Sequence, residues 1–141
     1  MKRTEPLLAV RERALDEKRG AFAAAVSAAA SSRAAAASAQ AVWEMRAIRV
    51  GAMGHATVAE HAEARAHVES LRKAALRAAE VAAEAAKGER VAREAMIAAE
   101  RELKKIETWR DGMLEDQRAE GARMERRATD ELAARAHRTR R

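Results

Sequence analysis

Apolar residues recur every seven positions through the first third of the chain. Leu8, Leu15, Phe22, Ala29, Ala36, Trp43 and Val50 fall on one seam without a phase slip. That spacing predicts one unbroken helix in a coiled coil. Thr4 can cap it, and Pro6 sits in the first turn, where a missing N–H is tolerated. The pattern breaks at Gly51-Ala52-Met53-Gly54-His55-Ala56, where two glycines three apart signal a loop. Thr57-Val58-Ala59-Glu60 follows directly and reads as a capping box.

A second seam then pairs Val68 with Leu71, Ala75 with Ala78, Ala82 with Ala85, Glu89 with Ala92, Met96 with Ala99, Leu103 with Ile106 and Arg110 with Met113. The 3,4 alternation predicts a second long helix. The expectation is therefore one all-α coiled-coil domain. Helix 1 covers about 5–50, a loop 51–57, helix 2 about 58–136, and a basic tail 137–141.

A short loop between long helices predicts an antiparallel hairpin, with the second helix longer than the first. With Val50 beside Val58, Phe22 would face Ala85 to Gly88, Trp43 would face Ala62 to Ala66, and Leu8 would face Ala99. Large residues then meet small ones. Helix 1 would be roughly 69 Å long and helix 2 roughly 120 Å. In that register the roughly 35 residues beyond Lys104 lack an internal partner, although they include Ile106, Trp109, Met113 and Leu114.

Composition narrows what such a chain can do. Of its 141 residues 48% are hydrophobic, but alanine supplies most of these and aromatics are 2%. Alanine favours helix and buries little area, so the core should be narrow and without an enclosed active site. We therefore expect no enzyme, no cofactor and no metal. His55, His61 and His67 are six apart and do not share a helix face, as a metal site would require. Glu89 and Arg110 lie on the seam and can fix register or snorkel from its edge.

The net charge is +6, but acids and bases are mixed along most of the chain, as on a solvated coiled-coil surface. Only Arg135 to Arg141 is basic without acids. Sparse aromatics argue against a nucleic-acid partner. The apolar stretch Ala21 to Ala41 holds four serines, Arg33 and Gln40, so membrane insertion is not expected. No apolar segment follows Met1-Lys2-Arg3, and cysteine is absent, which fits a cytoplasmic location.

Three stretches bear a likeness to a known family. They are Lys104-Lys105-Ile106-Glu107-Thr108-Trp109, then Asp130-Glu131-Leu132-Ala133 followed by bases, and Leu7-Leu8-Ala9-Val10-Arg11-Glu12-Arg13 at the start. With the length and the two-helix pattern, the chain resembles the FliJ/YscO family, the central stalk of flagellar and virulence-associated type III secretion systems. The resemblance covers roughly half the chain. It implies an antiparallel coiled coil at the cytoplasmic face of the inner membrane. It also implies two partners, the hexameric secretion ATPase and the membrane-embedded export gate, and allows secretion chaperones as a third.

Carried over, Arg11, Arg13, Lys18, Trp109, Arg118, Arg126, Arg127, Asp130, Glu131 and Arg135 would meet the ATPase. Gln40, Trp43, Glu44, Ala47, His67, Leu71 and Ala74 would meet the gate. Flagellar members often carry aromatics in the gate patch, where this chain offers mainly Trp43. That leans towards the injectisome branch and leaves both branches open. The alternatives are a generic coiled-coil scaffold or adaptor, a homodimeric structural protein, and a basic nucleic-acid-binding helix.

Overall fold

Alanine-rich sequence with no proline after Pro6 gives two uninterrupted helices. The structure, a computed structural model, describes residues 4–138; the first three residues and the last three of the basic tail lie outside it. Helix α1 spans Thr4–Gly51 and helix α2 spans Val58–Arg138. The chain divides into two compact units. One is Leu15–Ala98, and the other combines the residues up to Ala14 with those from Ala99 onward.

The unit 15–98 contains the turn. Ala52 N–H donates to the Ile48 and Arg49 carbonyls, and Met53 N–H donates to the Val50 carbonyl, which closes α1. No described glycine has positive φ, so α1 ends without a left-handed glycine cap. The box at the start of α2 is formed as the spacing predicts. Thr57 N–H donates to Glu60 Oε2 at 2.7 Å, and Glu60 N–H donates to Thr57 Oγ1 at 3.2 Å. These bonds satisfy donors that the first helical turn would otherwise leave open.

Within this unit the helices run antiparallel. Phe22 meets Arg93, whose guanidinium carbon lies 5.7 Å from the ring centroid. Further along α1, Arg33 reaches Glu89 at 4.0 Å, and Val42 to Arg49 border His67 and Leu71. The core is a thin line of small residues. Ala29 is completely buried, and Leu15, Ala64 and Ala75 nearly so. Side chains this small let two helix backbones approach closely.

In the other unit, Leu8 and Thr4 are the buried residues. Thr4 is already helical and lies against Arg110, Met113, Leu114 and Gln117 of α2. Ile106, Met113 and Leu114 are half-buried. From Glu115 to Arg138 every residue is exposed.

The seams are as expected: all seven helix 1 positions and all fourteen helix 2 positions are buried or half-buried. The register is not. Phe22 lies at Arg93 rather than at Ala85 to Gly88, and Thr4 lies at Arg110 to Gln117 rather than near Lys104. The displacement is about seven residues, one heptad. Its cause is visible at the turn. Val58 is 87% exposed, so Val50 does not pair with it, and α2 enters the seam only at His61 and Ala64. Gly88, expected to face Phe22, is exposed, with open space where a Cβ would stand. The seam therefore extends to Leu114, and the exposed stretch of α2 starts about ten residues later than the sequence suggests.

Candidate interaction surfaces

A narrow alanine seam leaves most side chains outside, so the candidate surfaces are outer helix faces. Among the described residues there is no cluster of three or more potential metal ligands and no helix long and apolar enough to cross a membrane.

The surface expected to meet the ATPase is distributed. Arg11, Arg13, Trp109, Arg118, Arg126, Arg127, Asp130, Glu131 and Arg135 belong to the unit that holds residues up to 14 and from 99, and all are exposed. Lys18 belongs to the other unit and is also exposed. Arg11 lies close enough to Glu102 to act on its charge. The Glu102 carboxyl is held below its usual range first by a hydrogen bond from Lys105, then by the Lys105 charge, and more weakly by Arg11.

Trp109 is 54% exposed and flanks an open groove of about 570 Å³ with Arg101, Lys104, Lys105 and Thr108. Its neighbours Ile106 and Met113 turn into the seam, and Trp109 lies one position off it. The cations here are partly neutralised within α2, since Lys104 pairs with Glu107 and Lys105 with Glu102. Arg110 snorkels: its guanidinium turns out of the seam to Asp111 at 2.9 Å.

The seven residues expected to meet the gate all belong to the unit 15–98 and differ in exposure. Trp43, Ala47 and Leu71 are half-buried in the seam. Gln40 donates to Glu44 at 2.6 Å, so those two bond each other one turn apart. His67 and Ala74 are exposed. His67 and Leu71 share a groove, and their neighbours in it are Val42, Met45, Arg46 and Arg49. This groove holds about 250 Å³. Val42 and Met45 supply its apolar wall at 47% and 52% exposure. Neither Arg46 nor Arg49 has a side-chain partner among the described residues.

Those four residues were missed because they lie off the seam. A signal existed, since Val42 and Met45 repeat the seam's spacing on another face of α1. Glu89, expected to fix register or to snorkel, reaches across to Arg33 with its side chain 24% exposed.

No protein-family model matches the chain, and neither a curated protein nor a solved structure does. The functional reading thus rests on the geometry and on the sequence likeness.

Proposed function

We propose that the chain is the stalk of a bacterial type III secretion system, which binds and regulates the hexameric secretion ATPase and links it to the export gate. The observation that carries this reading is the stretch Glu115–Arg138. It is a helix with every residue exposed, and it carries six acids and six arginines in close alternation. A helix of this kind has no apolar face on which to fold against its own chain. It suits a ring lumen, where many weak, screened ion pairs can be exchanged as subunits change state. The sequence likeness to FliJ/YscO stalks supports the same reading.

In this reading Arg118, Arg126, Arg127, Asp130, Glu131 and Arg135 meet the ATPase, with Trp109 at the edge of the contact. The gate contact centres on the groove of Val42, Met45, Arg46 and Arg49 with His67 and Leu71. Gln40 and Glu44, bonded to each other one turn apart, remain part of the expected contact.

The test is co-purification with the type III secretion ATPase of the same organism, together with its hydrolysis rate. The full chain should bind and raise ATP turnover. Truncation after Gln117 should abolish both effects while the remaining hairpin stays helical by circular dichroism. Full stimulation by the truncated chain, or none by the intact chain, would reject the proposal.

A further inference from the structure

Between Gly20 and Trp43, α1 carries a single charge, Arg33. A helix surface with one charge in about twenty residues gains from being covered. Here the seam covers one side only. The uncovered face, about 110° around α1 from the seam, runs from Glu17 to Arg49 and is exposed at each of its positions. It is more than a row of small residues, because Val42 and Met45 stand on it and Ile48 beside it is 74% exposed. Its two ends carry opposite charges. Neither the Glu17 nor the Arg49 side chain has a partner among the described residues.

We propose that this face binds the same face of a second copy, α1 against α1 in antiparallel, about a two-fold axis near Arg33. The ends select the occupant. An antiparallel pair centred there sets Glu17 of each copy opposite Arg49 of the other, twice by symmetry. The same register sets Met45 and Val42 opposite Ala21 and Ala24 of the second copy, large against small. At the axis Ser31 meets Ala35, where short side chains allow close approach. A shift of one heptad loses this complementarity: one direction sets Glu17 against Val42, and the other sets Arg49 against Ala24. The contact uses Val42, Met45 and Arg49, so a gate protein in their groove would compete with the second copy. Self-association does not depend on the secretion reading and can fail or hold apart from it.

The full chain is tested by sedimentation equilibrium at about 10–100 µM, a range that reads dissociation constants in the micromolar region. The mass should be twice the 15.4 kDa of one chain. Ala35→Glu, at an exposed position, puts two carboxylates roughly 6 Å apart along the axis. It should raise the dissociation constant about a hundredfold, with helicity unchanged by circular dichroism. Glu17→Arg and Arg49→Glu should each raise it about tenfold, and the double variant should return to within about threefold of the parent. A monomer throughout this range overturns the proposal. So does a dimer that survives Ala35→Glu, fails to recover in the double variant, or is lost on truncation after Gln117.

Discussion

Two surfaces of this protein, the outer face of mid-α1 and the end of α2, are both open to solvent and chemically opposite. On α1 between Gly20 and Trp43, the outer face is mostly alanine and serine, with Val26, Gln40, Val42 and one arginine. On α2 from Glu115 to Arg138, the surface is alternating arginine and carboxylate, with Met124 and Leu132 as isolated apolar residues at 61% and 66% exposure. Exposure alone therefore does not say what a surface is for. Alanine holds the first helix together by propensity and leaves a face that gains from being covered. The second stretch has solvated charges on all sides and gains little from apolar burial, so what it offers for recognition is charge.

The largest effect should come from the line where α1 is closed rather than open. Ala29→Glu puts a carboxylate at a completely buried position and should cost roughly 3 kcal/mol or more in urea unfolding. Ala30→Glu, one residue away and exposed, should stay within about 0.5 kcal/mol. Equal effects from the two would mean that α1 has no covered side.

A leucine pair asks the same question of the covered seam and the charged stretch. Leu15 is 4% exposed and Leu132 is 66% exposed. Leu15→Ala should destabilise by about 2–3 kcal/mol, and Leu132→Ala by less than about 0.5 kcal/mol, in the same unfolding measurement. A large loss at Leu132 would show that the charged stretch packs on something.

Thr57→Ala removes one half of the capping box and should cost about 1 kcal/mol, seen also as faster amide exchange in the first turn of α2. The smallest effect is that of pH on the other half. Glu60 is held below its ordinary value, first by the hydrogen bond from the Thr57 N–H and then by its bond with the Thr57 hydroxyl. A depressed carboxyl stabilises above its unfolded pKa, about 4.3, and the contribution is lost as pH falls through the lower folded value. The protection of the first-turn α2 amides, taken relative to their intrinsic exchange rates, should fall below about pH 4 in the parent and much less so in Glu60→Gln.

Helix identity, the break at Gly51–Thr57 and the residues of both seams were legible in the chain alone. Each is written in local chemistry: a 3,4 apolar alternation, a threonine three residues before a glutamate, and alanine's helix preference. Of the lining of the Val42 groove only two residues in six were legible. His67 and Leu71 were found, while Val42, Met45, Arg46 and Arg49 lay off the seam. Register was not legible at all, because a repeat of seven matches itself after a shift of seven. Large residues met small ones in the expected pairing and would do so in the one found. Packing at the turn settled it: Val58 stays in solvent, α2 joins the seam at His61 and Ala64, and Thr4 is carried to Met113. That displacement covers Ile106, Met113 and Leu114 and makes Glu115 the first residue of the open charged stretch. It depends on contacts between residues far apart in the chain, which no local pattern encodes.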